Sequence, residues 1–479
     1  MNEPPNIERG QNPEGQTRVA RTAPIHRPLS RVIQTGMTIA TPPKALGIGG
    51  VVLGFLLLIG IGTALLSLPV ARQPGTEWNG LTALFTATSA VCVTGLTVEN
   101  TGAYWSGFGQ GVIFALMQAG GLGVMTASLL ILVILGRSIS LRDRFLVREV
   151  SGIARIRSVA GLVLIIIVST AILEVLGGIA IWYQLYANYD LPNPIWKAAF
   201  HTISSFNNAG FDIFGDSLAG FSHDPVFLFT TAVLVVSGGL GMLLLLDVLS
   251  KRRWHGLTLN TRLILSTTAG LLILGFLAIL LFEYTNPNTL GPMSVKDKIA
   301  NAAFHSVTTR SAGLNTITVA DTNEETEFIK IALMFVGGAT GSTAGGIKVG
   351  TFAVLVLATI AAIRGFEHAQ VFGRRIPHRV VYRAGAVAGL YALFIFTAAF
   401  VLIITETENF RDILFETMSA IATVGLSTGI TPDLSVAGKI TLVIAMFIGR
   451  LGPLTLAYTL GQRSKEPLYE QPEAEVAIG

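Results

Sequence analysis

The sequence predicts an all-α membrane protein of eight transmembrane helices. They form four repeats of membrane helix, pore helix and membrane helix around a central pore, with a pseudo-four-fold axis along the membrane normal. Three features of the chain predict this. The 479 residues are 51% hydrophobic and only 13% charged, and mean hydropathy is +0.62, whereas about a quarter of the residues of a soluble domain are charged. Apolar runs of the roughly 18 to 25 residues that a bilayer requires lie near 46–70, 110–135, 159–187, 225–249, 262–282, 328–361, 383–405 and 438–461. A short polar stretch ending at a glycine stands between the two runs of each pair and recurs four times. The copies are Ser89-Ala-Val-Cys-Val-Thr-Gly-Leu-Thr97, Ala198 to Gly210, Ala302 to Gly313 and Ile413 to Gly425, each with a Phe about ten residues before its glycine.

Taken in order, residues 1–44 are polar, proline-rich and without hydrophobic period. They predict a disordered cytoplasmic tail, not a signal peptide, since no short apolar core follows a basic end. Residues 45–136, 137–256, 257–364 and 365–463 are the four repeats, and 464–479 is a cytoplasmic C-terminal tail. The second crossings match one another too, at Met117-Gln-Ala-Gly-Gly-Leu-Gly123, Val235-Val-Ser-Gly-Gly-Leu-Gly241, Met334-Phe-Val-Gly-Gly338 and Met446-Phe-Ile-Gly-Arg-Leu-Gly452. Two signals that keep one order in four units point to internal duplication. Each unit crosses twice, so all four share one orientation. Repeats of that kind are related by an axis along the membrane normal.

Charge sets the expected sidedness. Arg137, Arg142, Arg144, Arg148, Arg155 and Arg157 lie after the second crossing, Lys251, Arg252, Arg253 and Arg262 after the fourth, and Arg364, Arg374, Arg375, Arg379 and Arg383 after the sixth. All three clusters fall on one side, which the positive-inside rule makes cytoplasmic, with both termini. The net charge of +4 is thereby explained by topology, and no nucleic-acid partner is expected; lipid is. The single cysteine, Cys92, excludes an internal disulfide and a cysteine-based metal cluster. No Walker sequence, G-x-S-x-G or His/Cys ligand cluster occurs, so no catalytic residue and no enzyme activity is expected.

Four amphipathic segments, Leu81–Ala90, Ile195–Ser205, Lys298–Thr308 and Asp412–Ala420, are too short to span. They predict re-entrant pore helices that start outside. A cation stripped of water needs a ring of oxygen dipoles, which extended backbone punctuated by glycine supplies without a full charge. The expected carbonyls are those of Val91, Cys92, Val93 and Thr94, of Phe206, Asn207, Asn208 and Ala209, of Thr309, Arg310, Ser311 and Ala312, and of Ile421, Ala422, Thr423 and Val424. The glycines that follow, Gly95, Gly210, Gly313 and Gly425, are expected to allow φ > 0 where a side chain would crowd the axis. Four helix C-termini aimed at that axis add negative partial charge, so the permeating ion is expected to be a cation.

The third repeat carries a second feature, a loop at about 337–350. Gly337, Gly338, Ala339, Thr340, Gly341, Ser342, Thr343, Ala344, Gly345 and Gly346 interrupt what would be one long helix. Each interior glycine costs about 1 kcal/mol there, so the segment is expected to be irregular and mobile, just below the filter; a static kink is the alternative. Lys348 is placed to contact this loop or a cytoplasmic partner. Arg450 stands where the other repeats have the second glycine of a pair. At mid-membrane an unpaired arginine costs from ~2.5 kcal/mol upward, so it is expected to face the pore, holding the loop through its carbonyls or through Ser342 and Thr343, or else to anchor packing between repeats. Glu174 and Asp247 read as buried groups paired with an amide or a lysine, with proton or ion sites as the alternative, and His201 and His305 as packing and hydrogen-bonding residues of the pore helices rather than metal ligands.

The phrases Ala90-Val-Cys-Val-Thr-Gly-Leu96, Phe206-Asn-Asn-Ala-Gly-Phe211, Val307-Thr-Thr-Arg-Ser-Ala-Gly-Leu-Asn315, Thr423-Val-Gly-Leu-Ser-Thr-Gly-Ile-Thr-Pro432 and Phe447-Ile-Gly-Arg-Leu-Gly-Pro-Leu-Thr455 resemble the Ktr/Trk/HKT superfamily of potassium transporters. The likeness runs from about Thr41 to the C-terminus and is nearest the membrane subunit of bacterial Ktr systems. It implies that the four glycines are filter glycines, that K⁺ is the ion, that the 337–350 loop gates the pore and that Arg450 contributes to the barrier. It implies Na⁺ dependence, a homodimer with one pore per protomer in the bacterial plasma membrane, and a KtrA-like cytoplasmic ring that binds ATP or ADP. One glycine per unit, where a potassium channel has two, implies looser K⁺/Na⁺ discrimination. A Trk-type subunit is the near alternative, although that type adds helices before the first repeat. A polytopic membrane enzyme and an inverted-repeat transporter are the distant ones.

Overall fold

A computed structural model describes residues 48–134 and 159–452. The predicted tails and the first basic cluster, Arg137 to Arg157, lie outside the described residues. The helices are α1 (Ile48–Leu66), α2 (Gly80–Cys92), α3 (Gly107–Ile134), α4 (Val159–Asn188), α5 (Pro194–Asn207), α6 (Pro225–Leu240), α7 (Met242–Lys251), α8 (Leu259–Glu283), α9 (Val295–Thr308), α10 (Glu324–Phe335), α11 (Val349–Ile363), α12 (His378–Thr405), α13 (Phe410–Ala422) and α14 (Val436–Leu451), with one-turn helical pieces in the connections. A two-stranded hairpin, β1 (Gln370–Val371) with β2 (Arg374–Arg375), is the sheet among the described residues.

The long helices are continuous apolar stretches whose outer faces carry exposed Leu56, Leu57, Leu176, Ile179, Leu274, Leu277, Phe396 and Phe400. Such a surface has no partner in water and suits lipid. Among the described residues Gly107–Thr126, Val163–Asn188, Leu259–Glu283 and His378–Thr405 are each long and apolar enough to cross a bilayer. The predicted crossing at 225–249 is not one straight helix. It breaks into α6 and α7, bent by 100°, at Gly241, whose φ of 78° no ordinary side chain adopts readily. The run at 328–361 is also divided, into α10 and α11, by the glycine-rich loop. The run at 438–461 is described only as far as Gly452, which also has positive φ.

The short helices α2, α5, α9 and α13 are the inverse of the long ones, with exposed or half-buried first turns and C-terminal halves that are largely buried. Phe85, Phe200, Phe304 and Phe415, the phenylalanines of the four glycine stretches, are all 1% exposed or less, so the shared aromatic is a core anchor. Local chemistry starts these helices. Asn79 Oδ1 accepts from the Leu81 N–H at 2.9 Å, Pro194 occupies the first turn of α5, and Ser294 Oγ accepts from the Asp297 N–H at 3.3 Å; each satisfies or removes a donor that a helix start leaves unpaired.

Packing joins neighbours in the chain and also non-neighbours. Helices α2, α5, α9 and α13 lie against α1, α4, α8 and α12 respectively. In addition α3 packs on α5, α6 on α9, α10 on α13, and α14 on α2. Arg411 at the start of α13 reinforces the third of these contacts through Glu324 and Glu327 of α10, both at 2.9 Å.

Candidate functional site

Extended backbone begins later in the glycine stretches than the sequence implies. Val91 and Cys92, Phe206 and Asn207, and Ile421 and Ala422 still belong to the last turns of α2, α5 and α13. Those helices end one residue further on, at Val93, Asn208 and Thr423, which take left-handed conformations with φ of 55°, 59° and 48°. A single left-handed residue is the usual way to end a helix, though glycine is the usual occupant. The third stretch differs: α9 ends at Thr308, and Thr309 is right-handed. Thr309, Arg310, Ser311 and Ala312 then form a short turn before Gly313.

Each of the four glycines has positive φ: 95° at Gly95, 74° at Gly210, 70° at Gly313 and 93° at Gly425. Each also faces the carbonyl that precedes the next glycine. A Cβ on Gly95 would stand 2.6 Å from the Ala209 oxygen and one on Gly210 would stand 3.0 Å from that of Ala312, while on Gly313 and Gly425 it would overlap the Val424 and Thr94 oxygens. The sequence of contacts returns to its start. Conformation and crowding therefore both require glycine at these positions.

Sequence reasoning missed the hydroxyls that hold these turns. Ser89, Ser204, Thr308 and Ser419 each accept, on their main-chain carbonyl, the N–H of the residue before the glycine, at 2.7 to 2.9 Å. The hydroxyls of Ser89 and Ser419 accept from the glycine N–H itself, at 3.0 Å. Those of Ser204 and Thr308 donate to the carbonyls after the glycine, Phe211 and Leu314, at 2.6 and 2.7 Å. The signal was present, a hydroxyl residue five or six positions before each glycine.

The paired glycines of the second crossings explain the remaining carbonyls. A Cβ on Gly120, Gly238 or Gly449 would collide with the carbonyl of Val91, Phe206 or Ile421. Those three carbonyls thus lie against a neighbouring helix. The corresponding Gly337 instead meets Gly345 within the loop.

The loop leaves α10 at Val336 and returns to α11 at Lys348, and Thr340 is its exposed tip; Gly337, Gly338, Ala339 and Ser342 to Gly346 are buried. It is bonded on several sides. Gly337 N–H donates to Ile347 O at 3.0 Å, Ala339 N–H to Gly239 O at 2.9 Å and Thr343 N–H to Gly238 O at 3.3 Å. The last two acceptors lie in the last turn of α6, where the break at Gly241 interrupts the helical ladder; the Gly238 carbonyl also accepts from the Gly241 N–H at 3.2 Å. A Cβ on Gly241 would in turn stand 2.9 Å from the Gly341 oxygen, so the break and the loop occupy one another's space.

Side chains complete the attachment. Arg450, 5% exposed, donates through Nη1 to Thr343 O and through Nη2 to Gly120 O, the latter at 3.2 Å. Lys348 Nζ donates to Ala344 O at 2.6 Å. Oriented to satisfy its neighbours, the Asn208 amide donates to Val235 O and Ser205 O and accepts from the Thr343 and Ser311 hydroxyls, at 3.1 to 3.2 Å. Gly345 lies directly under the end of α13, where a Cβ would overlap the Thr423 hydroxyl and Ala422 carbonyl. Arg310, predicted only as a backbone carbonyl, sends its side chain to the loop: Nη2 donates to Gly337 O at 2.6 Å and Nε to Val336 O at 3.4 Å.

Two other predicted pairs are present. Gln118 Nε2 donates to Glu174 at 2.9 Å and Asn207 Nδ2 to the same carboxylate at 3.3 Å. Asp247 is paired with Lys251 at 2.7 Å and accepts from the Thr261 hydroxyl at 2.6 Å. His201 and His305 bond the hydroxyls of Thr231 and Thr316, at 3.1 and 3.0 Å. No group of three His, Cys, Asp or Glu side chains arranged to hold a metal occurs among the described residues.

Residues 48–465 match TrkH, cation transport protein. The chain belongs to this family. It is 39% identical over 439 residues to Ktr system potassium uptake protein B of Bacillus subtilis, covering 92% of this chain and 97% of the relative. It is 36% identical to the potassium/sodium uptake protein NtpJ of Enterococcus hirae, over 89% of this chain and 96% of that one. Among solved structures, the potassium transporter TrkH from Vibrio parahaemolyticus superposes with a TM-score of 0.69 at 21% identity, covering 86% of this chain and 84% of that chain. At that identity the superposition speaks for the fold. The family is one of transporters, not enzymes.

Proposed function

We propose that this TrkH-family chain is the potassium-translocating membrane subunit of a Ktr-type uptake system. K⁺ moves inward, down its electrochemical gradient, through a filter built by four repeats with one glycine each. The observation that carries this reading is the closed order of contacts, Gly95 to Ala209, Gly210 to Ala312, Gly313 to Val424 and Gly425 to Thr94. Four positive-φ turns that meet in sequence around one point, each at the end of a helix C-terminus, make a carbonyl-lined, cation-attracting constriction. The packing of α3 on α5, α6 on α9, α10 on α13 and α14 on α2 supports the same four-unit ring. Eight crossings follow if α6–α7 and α10–α11 each count as one interrupted span and α1 and α14 as spans in their own right.

The carbonyls we assign to the ion are those of the residues between each helix and its glycine, with Val93, Thr94, Asn208, Ala209, Ser311, Ala312, Thr423 and Val424 foremost. The loop of residues 337–350 is the gate: it underlies α5 and α13 and is held by Arg450, Lys348 and Asn208. Uptake is Na⁺-dependent and under the control of a KtrA-like cytoplasmic ring that binds ATP or ADP. The protein works as a homodimer in the bacterial plasma membrane, with its termini cytoplasmic. Uptake of ⁸⁶Rb⁺ into liposomes, with and without a co-purified nucleotide-binding subunit, tests the whole reading. Competition by K⁺ and stimulation by the partner are expected. Failure of both there, and of growth rescue in K⁺-uptake-deficient cells, overturns it.

A further inference from the structure

Arg310 belongs to two parts of the molecule at once. Its main chain lies in the third glycine stretch, two residues before Ala312, whose carbonyl faces Gly210. Its side chain leaves that stretch and ends on the carbonyls of Val336 and Gly337, where the loop departs from α10. The guanidinium is buried, the residue being 7% exposed, and among the described residues no carboxylate pairs with it. A buried cation with only main-chain acceptors is costly to move away from them. The planar fork spans two successive carbonyls, which a lysine ammonium cannot do in the same way. Arg450 contrasts with it. That residue stands on α14 and reaches Thr343 and Gly120, neither of which is in a glycine stretch.

We propose that Arg310 is a positioning residue that couples filter to gate, tying the third glycine stretch to the first carbonyls of the loop so that each sets the geometry of the other. Displacing the loop at Gly337 then pulls on the backbone that presents the Ala312 carbonyl. The selectivity of the third stretch depends on the loop's position through this side chain, as the second stretch touches the loop through Asn208 and Thr343. The inference rests on the filter and gate assignments proposed above.

The test uses the full chain in liposomes with three readouts: basal ⁸⁶Rb⁺ uptake, its competition by Na⁺, and the maleimide labelling rate of a thiol introduced by Thr340→Cys at the exposed loop tip. The native Cys92 is wholly buried and serves as background. Arg310→Gln is expected to raise uptake and labelling about tenfold, the shift that loss of one charge-assisted hydrogen bond gives, and to strengthen Na⁺ competition as well. Arg450→Ala, which frees the loop while Arg310 still ties it to the third stretch, is expected to raise uptake and labelling and to shift Na⁺ competition through that tie. In an Arg310→Gln background it is expected to add no further shift in Na⁺ competition. Arg310→Lys, which keeps the charge, should give a smaller change in the same readouts and decides the matter if the glutamine variant does not fold. A change confined to Na⁺ competition, or confined to labelling, overturns the coupling. If Arg450→Ala also leaves uptake unchanged, it is the gate assignment that fails.

Discussion

Thr94 and Gly425, from the first and last glycine stretches, are in direct contact, with the Thr94 carbonyl where a side chain on Gly425 would begin. The four contacts of this kind are not equally tight, and that inequality is testable. Gly210 has its nearest foreign atoms, Ala312 O and Gly95 Cα, at 3.0 Å from a Cβ position, close enough for small shifts to absorb. Gly425 has no such margin. Gly210→Ser should therefore fold and admit more Na⁺ relative to K⁺, whereas Gly425→Ala should lose uptake altogether, at a cost above the 1 to 3 kcal/mol typical of overpacking. Flux with K⁺/Na⁺ competition, alongside thermal unfolding, distinguishes the two. Equal behaviour of both variants would contradict the ring geometry.

Arg450 ties the loop to α3 and α14, and its removal frees Thr343 and Gly120 carbonyls that lack another side-chain donor. Hydrogen bonds to a charged group contribute about 1.5 to 3 kcal/mol, so Arg450→Ala should raise basal ⁸⁶Rb⁺ flux roughly tenfold or more. Shortening Ala339 to Gly345 should act in the same direction. Reduced flux in a well-folded variant would instead assign Arg450 to packing.

Much of this arrangement was legible in the chain. Repetition revealed the four stretches, and the glycine content of residues 337–346 revealed the loop, because composition records where helix is disfavoured. Three things were not legible. The bend at Gly241 looks, in sequence, the same as the unbroken helix at Gly123; only the loop lodged against Gly241 distinguishes them. The side chain of Arg310 was hidden because a residue's place in a glycine stretch says nothing of where a long side chain ends. The extent of α2 and α13 was underestimated for a related reason: the β-branched Val93 and Thr423 are poor left-handed residues in isolation, and tertiary packing overrides that preference, whereas Asn208 at the end of α5 tolerates it.

Adjacent glycines of α6 offer an internal control. A Cβ on Gly238 would overlap the Phe206 carbonyl and stand 3.0 Å from the Thr343 hydroxyl, whereas on Gly239 the nearest atom is 3.5 Å away, an ordinary contact. Gly238→Ala should displace both α5 and the loop, lowering the yield of folded protein and increasing leak from what remains. Gly239→Ala should keep uptake and raise thermal stability slightly, since alanine favours helix over glycine by about 1 kcal/mol. Liposome flux and melting curves for the two variants check the pair.

Glu174 braces the second stretch from behind. Its carboxylate accepts from Gln118 and Asn207, and the Asn207 amide also donates to Gln118 Oε1 at 2.7 Å and to Ile203 O at 3.1 Å. Asn207 immediately precedes the left-handed Asn208, so its orientation bears on the turn that leads to Gly210. Glu174→Leu removes the acceptor and leaves the half-buried Gln118 Nε2 without it, a cost at the lower end of about 1 to 3 kcal/mol. Glu174→Gln keeps one acceptor oxygen and should cost less. Because Asn207 retains its bonds to Gln118 and Ile203, the expected outcome is a folded protein with lowered melting temperature and modestly increased Na⁺ competition, larger for leucine than for glutamine. A melting shift with selectivity unchanged in both variants would confine Glu174 to packing; graded loss of selectivity would establish that the second stretch is held in register by a carboxylate outside the ring.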